Sequence, residues 1–564
     1  MATNVQVLFL NQAKAIIRMS FTDASTKSPA FQRKHRDVPS NTLFDQPIVK
    51  TALLKIEKQQ LRGHGTESPP GHFAKRMGMD SKLVIVMVGL PARGKSYVTK
   101  KLCRYLTWLQ YETRIFNVGE RRRTVAGRPL KPTVSKQYFK PTNGAGTVLD
   151  EPEHSASFFD PANAEAGRLR ERVALSTLDD LLDYLLEGGG SIGLFDATNS
   201  TLDRRRLIVE RVKERAGPEL GVLFLESQCF DETLLEKNML LKLSGPDYIG
   251  QDPVAALKDF KERVAMYEKK YAPIGDYEER NGLSFCQMVD VGRKFVTHKV
   301  NGFLATQVVN YLQHFNLAPR QVWLTRHGES MDNIAGKVGG DSGLSPYGVK
   351  YSRALSRFID HERDAWTRRQ QYGSLSGQCA LGDGNELAGS AKCNGLTYEE
   401  SHRKRFFVWT SMMQRSIQTA QFFDQDRYEV DHMRMLDDLN AGMLEGLTHD
   451  QIKELYADEY EQRQRDKLRY RYPGKRGEGY LDVTNRLKSV ILELERVHDH
   501  VLLIGPQSVT RILLAYCRGL KSEEITDLHV PLGTLYMLEP KPYGADYKEF
   551  VYNPEIDWFD LKTK

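Results

Sequence analysis

The sequence predicts an α/β protein of two domains, each on a mostly parallel sheet, and three observations carry that expectation. The chain has 564 residues, more than one hydrophobic core normally serves. Apolar strand-like runs alternate with helical stretches along most of it, the pattern of parallel strands joined by crossover helices. A glycine loop, Gly89-Leu-Pro-Ala-Arg93-Gly94-Lys95-Ser96, follows the apolar run Leu83 to Val88 and opens a helical stretch predicted from Tyr97 to Leu109. In that layout successive backbone N–H groups and the helix dipole meet a phosphate at the helix N-terminus.

Residues 1–80 mix Ser, Thr, Pro, Gly and charge with no sustained period, and read as a disordered or regulatory extension. The stretch Val5 to Ile17, followed by Arg18 with no acid before Asp23, has the composition of a transit peptide and is the alternative reading there. The first domain, 81–318, has predicted strands at Leu83 to Val88, Thr113 to Val118, Ser191 to Phe195, Gly221 to Glu226 and Phe285 to Asp290. Helices such as Ala164 to Leu186 separate them. Pro319 breaks the pattern, and a second run, 319–564, begins at Val322 to Thr325 and includes Phe407 to Thr410 and Val501 to Ile504. Within it, residues 372–402 are rich in Gly, Ser, Asn and Cys and read as an inserted surface loop.

Composition narrows the partners. The 80 basic and 73 acidic residues leave a formal charge of +7, a mild excess that suits anionic metabolites. No Lys/Arg block with interleaved aromatics marks a nucleic-acid groove, and no run reaches the roughly 18–20 apolar residues of a membrane helix. The six cysteines, Cys103, Cys229, Cys286, Cys379, Cys393 and Cys517, are scattered without metal-ligand spacing, which points to a reducing, cytoplasmic setting.

Residue chemistry at the first site is that of phosphoryl transfer. Lys95 is placed to reach the β- and γ-phosphates of a nucleoside triphosphate and the Ser96 hydroxyl to hold Mg²⁺. The loop also needs a carboxylate at the end of a neighbouring strand, and Ser191-Ile-Gly-Leu-Phe195-Asp196 supplies one. Arginines recur near the same edge, at Arg121 to Arg123, at Arg168 and Arg170, and at Arg204 to Arg206. Their planar forks match phosphate oxygens, so the acceptor is expected to be a small phosphorylated molecule.

Taken with the loop, the segments Phe116-Asn-Val-Gly-Glu120-Arg-Arg, Phe159 with Asn163 and Glu165-Ala166, Phe195-Asp-Ala-Thr-Asn199, Ser244-Gly-Pro-Asp-Tyr248 and Val289-Asp-Val-Gly-Arg293 closely resemble the 6-phosphofructo-2-kinase/fructose-2,6-bisphosphatase family. The resemblance runs from about Leu83 toward the C-terminus, outside the extension and the 372–402 insert. It implies a P-loop kinase domain joined to a phosphoglycerate mutase-like histidine-phosphatase domain, using ATP and Mg²⁺ to convert fructose 6-phosphate to fructose 2,6-bisphosphate, a regulator of glycolysis. It also implies a homodimer. By motif, Arg122, Arg170, Thr198, Arg204, Arg263 and Tyr267 would hold the sugar phosphate. Gly89, Arg93, Gly94, Lys95, Ser96, Tyr97, Asn238 and Lys242 would hold the nucleotide, with Ser96 and Asp196 on the metal. Lys95, Asp196 and Cys229 take the catalytic positions.

In the second domain Val322-Trp-Leu-Thr-Arg326-His327-Gly328-Glu329 resembles the segment in which a histidine phosphatase's imidazole becomes phosphohistidine. Arg326, Asn333 and Arg415 match its phosphate-binding side. Arg463, Lys467, Tyr480, Gln507 and Arg511 resemble its bisphosphate-binding residues. Two catalytic positions differ. The family's acidic Glu is replaced by Asp438, one methylene shorter, and its second histidine by Pro506, which offers neither charge nor donor. Since loss of one preorganised donor costs about 10²–10³ in rate, the expectation is an impaired or silent phosphatase. The alternatives are a fully bifunctional enzyme and a non-catalytic phosphosugar sensor.

Overall fold

A computed structural model of the chain describes residues 82–125, 156–160, 162–243, 245, 247–248, 250–378, 404–541 and 544–562. The extension read over 1–80 and all of the insert beyond 378 lie outside them.

The first sheet forms around β1, Leu83–Val88, whose six residues are all buried. Such continuous apolar character belongs to a strand covered on both faces. β2 (Thr113–Asn117), β3 (Ile192–Asp196), β4 (Gly221–Gln228), β5 (Ser284–Val289) and β6 (Lys294–His298) complete the order β2-β3-β1-β4-β5-β6. All pairs are parallel except β5 with β6. The connecting helices are α1 (Lys95–Trp108), α2 (Val118–Val125), α3 (Ala164–Leu186), α4 (Leu202–Ala216), α5 (Glu232–Leu243), α6 (Pro253–Glu268) and α7 (Phe303–Gln313). Local signals start them: Asn163 accepts from the Ala166 N–H to cap α3, Thr201 accepts from the Arg204 N–H to cap α4, and α6 has Asp252 as its cap with proline in its first turn. Val118, predicted as the end of a strand, instead begins α2.

The second sheet has the order β13-β12-β11-β7-β10-β8-β9. Its strands are β7 (Val322–Arg326), β8 (Phe406–Thr410), β9 (Glu429–His432), β10 (His500–Gly505), β11 (Thr534–Lys541), β12 (Gly544–Asn553) and β13 (Trp558–Leu561). β7, β10, β8 and β9 run parallel, and β11 to β13 extend the sheet antiparallel. Helices α8 (Pro346–Gln378), α9 (Gln414–Ala420), α10 (Lys488–Arg496) and α11 (Gln507–Arg518) belong to this half. The insert reading needs correcting at its start, because α8 continues through Gln378 and residues 372–378 are helical. Gly and Ser lower helix propensity by at most about 1 kcal/mol each, too little to stop an established helix.

The two halves share an apolar cluster. Tyr105, Trp108, Tyr311 and Phe315 from the first pack in it with Ile491, Leu494, Leu513 and Tyr516 from the second.

Candidate active sites

The first site lies beyond the C-terminal ends of β1 and β3, where ligands of open α/β sheets bind. Gly89 takes φ +132°, and a Cβ there would stand 2.5 Å from the Ser227 carbonyl oxygen. Gly94 enters α1 in the left-handed region at φ +83°. A Cβ at Gly89 would clash with that carbonyl, so the path requires glycine there, and Gly94 takes its left-handed conformation without the strain a side chain would add. The loop is stapled from several sides: the Gly89 N–H donates to the Thr198 carbonyl at 3.0 Å, Ser227 Oγ to Arg93 O, and Asn238 Nδ2 to Ala92 O at 3.1 Å. Asn199, at φ +41°, donates from Nδ2 to Met87 O at 2.8 Å and ties the turn after Asp196 to the end of β1.

Lys95 is 8% exposed and donates to the Leu90 carbonyl at 2.6 Å. Burial brings its ammonium down to about 7, against the pull of Asp196, and the neighbouring charges of Lys242, Arg93 and Arg263 add to the fall. Asp196, also buried, accepts from Asn117 Nδ2 at 2.6 Å. Lys95, Lys242, Arg93 and Asp196 thus share one electrostatic neighbourhood. Tyr97 lines a cleft beside the loop with Gly94, Ser227, Asn238 and Phe315.

Of the arginine clusters, the fold turns only some members inward. Arg121 is taken up by Ser176 and Asp180 on α3, Arg168 is exposed, Arg206 pairs with Glu210 at the surface, and Arg205 forms a fully buried pair with Glu278. Arg122, Arg170 and Arg263 converge instead on Phe159, their guanidinium carbons 5.0, 5.7 and 4.0 Å from its ring centroid. Tyr267 packs on the same ring at 5.5 Å. Asp247 ties this group together, accepting from Arg122 at 3.4 Å, Arg123 at 3.3 Å and Arg263 at 3.1 Å. Burial would raise the Asp247 carboxyl, but Arg263, Arg122 and Arg123 outweigh it and hold it at about 2. Arg204 lies near Arg170 but is engaged by Glu171 at 3.0 Å through its Nε.

Several polar atoms here are buried without a hydrogen-bond partner among the described residues: Arg93 Nη1, Arg122 Nε, Arg263 Nε and Asn199 Oδ1. Three are guanidinium nitrogens, so the donor set suits anionic oxygens. For the metal, Ser96 and Asp196 offer one hydroxyl and one carboxylate, which fits Mg²⁺ shared with phosphates rather than a cage of protein ligands. No cluster of three or more His, Cys, Asp or Glu side chains arises among the described residues. The Cys229 thiol is buried, lies 3.8 Å from the Asp231 carbonyl, and is pushed up by burial.

The second site is at the C-terminal ends of β7, β8 and β10. His327 is 2% exposed, and burial with the charges of Arg415 and Arg326 holds its imidazole well below its ordinary value. Nδ1 lies 2.7 Å from the Gly328 carbonyl, and Nε2 lies 3.0 Å from the Arg415 Nε that donates to it. These bonds assign the proton to Nδ1 and the lone pair to Nε2, the arrangement of a neutral nucleophile. Arg415 also donates to Gly340 O at 2.6 Å and to Asp438 Oδ2 at 2.9 Å. Asp438 Oδ1 accepts from Ser508 Oγ and from the Leu439 N–H, both at 2.8 Å. Arg326 donates to Val530 O at 3.2 Å and leaves its Nε buried without a partner among the described residues. Asn333 uses its Oδ1 to close a capping box with Ser330.

Register explains where Pro506 falls. Gly505 of β10 pairs with Arg326 of β7, and the His327 N–H donates to the Gly505 carbonyl at 3.0 Å. The next residue on each strand, His327 and Pro506, therefore leaves the sheet at neighbouring positions, Pro506 buried as the N-cap of α11. Farther out, Arg511 Nη1 donates to Tyr480 Oη at 3.0 Å, and Arg463 stacks over Tyr472 at 5.8 Å. Burial, with Arg511 and Arg463 nearby, brings Lys467 down to about 8. Gln507 is half-buried in the first turn of α11.

Sequence reasoning passed over Asn117, Asp247, Ser508 and Thr419, whose Oγ1 accepts from the Gly328 N–H at 2.9 Å. Asn117 and Asp247 sit inside the quoted family segments, but only the fold shows which charges they hold.

Residues 73–319 match the family model described as 6-phosphofructo-2-kinase, and residues 390–553 match that of the histidine phosphatase superfamily, branch 1. A protein of Schizosaccharomyces pombe named as a probable 6-phosphofructo-2-kinase is 46% identical over 499 residues, covering 85% of this chain and 71% of its own. The Saccharomyces cerevisiae protein named 6-phosphofructo-2-kinase 1 is 46% identical over 493 residues, 87% of this chain and 54% of its own. A Rattus norvegicus protein named 6-phosphofructo-2-kinase/fructose-2,6-bisphosphatase 3 is 38% identical over 477 residues, 84% of this chain and 73% of its own. With the fold, the glycine loop and this likeness together, the chain belongs to the 6-phosphofructo-2-kinase family.

Proposed function

We propose that this chain transfers the γ-phosphoryl group of ATP to the 2-hydroxyl of fructose 6-phosphate, and that its histidine-phosphatase domain hydrolyses the product slowly or not at all. The observation that carries the first part is the desolvated cation cluster of Lys95, Arg93, Arg122 and Arg263. Arg93 Nη1, Arg122 Nε and Arg263 Nε are buried without a hydrogen-bond partner among the described residues, and the charges of Asp196, Arg93 and Arg263 all act on Lys95. In this reading Gly94, Lys95, Asn238 and Lys242 bind the nucleotide. Arg122, Arg170 and Arg263 hold the sugar phosphate against Phe159, with Thr198, Arg204 and Tyr267 at the margin. Asp196, oriented by Asn117, accepts the proton of the attacking hydroxyl. Mg²⁺, held by Ser96 and Asp196, would neutralise charge on the phosphate oxygens. The second part is supported by Pro506 beside His327 and by Asp438, whose two oxygens are already engaged by Arg415, Ser508 and Leu439. A cytoplasmic setting agrees with Cys103, Cys229, Cys286 and Cys517 being free.

Both rates measured on one preparation test the proposal, with fructose 2,6-bisphosphate labelled at its 2-phosphate for the reverse direction. Product formation is expected to exceed phosphate release by about a hundredfold or more. Equal rates would establish the bifunctional enzyme instead.

Binding of ATP is linked to the protonation of Lys95. Phosphates placed on this ammonium favour its charged form and raise it. Below about pH 7 it is charged before and after binding, while above about 7 the free site must take up a proton. ATP affinity should therefore fall as pH rises through 7, by up to about tenfold per unit. Calorimetry in buffers of different ionisation enthalpy is expected to show proton uptake at pH 8 and almost none at pH 6. Equal uptake at both would separate Lys95 from the phosphates.

A further inference from the structure

One buried carboxylate unused by either site links the second domain to the nucleotide loop. Glu495, on α10, is 4% exposed. Lys101 Nζ donates to it at 2.8 and 3.1 Å, Arg104 Nη2 at 2.9 Å and Tyr516 Oη at 2.6 Å. Both cations belong to α1, the helix that begins with Lys95 and Ser96. They are one and two turns beyond Tyr97, on one helical face.

Lys101 does more than pair. Its ammonium also sits 5.9 Å from the Tyr97 ring and 5.5 Å from that of Phe315, and these two rings lie 5.3 Å apart in the wall of the cleft beside the loop. Arg104 lies 4.6 Å over the Tyr516 ring, and Tyr516 Oη meets Tyr311 Oη at 3.2 Å. Asn316, next to Phe315, donates to the carbonyls of Glu495, Arg496 and Val497, and Arg320 holds Asn316 at 2.7 Å. The backbone and the carboxylate of one residue thus grip both sides of the cleft wall. Burial alone would raise the Glu495 carboxyl, but Lys101 and Arg104 hold it down to about 2, so it is an anion at every working pH.

We infer that Glu495 is a positioning residue for nucleotide binding: through Lys101 it fixes Tyr97 and Phe315, and through Lys101 and Arg104 it fixes the helix that carries the P-loop. The histidine-phosphatase half is then a structural part of the kinase site whether or not it turns over. The inference rests on the P-loop binding a nucleotide, as proposed above.

Titrating the full chain with Mg²⁺ and N-methylanthraniloyl-ATP, alongside steady-state kinetics in both substrates, tests it. Glu495→Gln keeps the shape and removes the charge, and is expected to weaken nucleotide binding and raise KM for ATP by roughly tenfold. KM for fructose 6-phosphate and kcat at saturating ATP should stay within about threefold of wild type. Lys101→Met leaves the Glu495, Arg104 and Tyr516 bonds in place and should weaken nucleotide binding by roughly threefold. If Glu495→Gln does not fold, the Lys101→Met titration decides, and an unchanged nucleotide affinity there overturns the inference. So do unchanged affinities in both variants, or KM values rising equally for both substrates. If the wild type itself binds no nucleotide, the P-loop reading fails and this inference with it.

Discussion

Lys95→Met is expected to lower kcat/KM for ATP by roughly 10³-fold or more while the protein stays folded. The substitution keeps a straight side chain of similar length in a position that is 8% exposed. It deletes the one ammonium at the head of α1, whose bond to Leu90 is the contact that phosphates would replace. An apolar chain there also escapes the cost of burying a charge, so the thermal midpoint should be equal or higher. Circular dichroism on heating and steady-state assays make the comparison. Activity within about tenfold of wild type would remove Lys95 from the chemistry. Asp196→Asn should show a loss of similar size, since the amide keeps the size of the carboxylate but neither accepts a proton nor balances a metal.

Pro506→His is expected to increase release of the 2-phosphate from fructose 2,6-bisphosphate by roughly 10²-fold. The backbone is ready for it. Pro506 has φ −73° and ψ 170°, open to any residue. Its carbonyl, which accepts from the Thr510 N–H at 3.0 Å and from Thr510 Oγ1 at 2.8 Å, stays in place. The β7–β10 register then sets a second imidazole beside His327, where a cation would stabilise charge on the transferring group. Adding Asp438→Glu extends the acid by a methylene and should raise the rate further. His327→Ala in the same background should abolish the gain. If Pro506→His releases phosphate no faster than wild type, the missing cation is not what limits this domain.

Much of this was legible in the chain itself. β1 was read to the residue because six consecutive buried apolar side chains leave no other period, and α3 because Asn163 caps a sustained helical repeat. Gly89, Gly94, Lys95, Asp196 and His327 announce themselves because their chemistry is local to a strand and the turn after it. Strands β6, β9 and β11 to β13 were not foreseen. β6, β9 and β13 are edge strands that expose charges such as Lys294, Glu429 and Asp560, which dilutes the apolar signal, whereas β11 is buried from Thr534 to Leu538 and pairs antiparallel with β7.

Residue types and their order announced the two-domain α/β class and a glycine loop with a carboxylate at the end of a second strand, and the resemblance to the family marked Pro506 as standing where the family has a histidine. Those are statements about residue type at short range, where backbone geometry and side-chain chemistry suffice. Packing, by contrast, settles what each arginine touches: Arg122 and Arg263 reach Phe159 and Asp247, while Arg121, Arg205 and Arg206 are bound elsewhere. It alone paired Lys101 with Glu495, 394 positions away. A charge on a helix has no sequence signature for its partner, because the partner is chosen by packing of distant elements and by the need to satisfy every ion that packing buries.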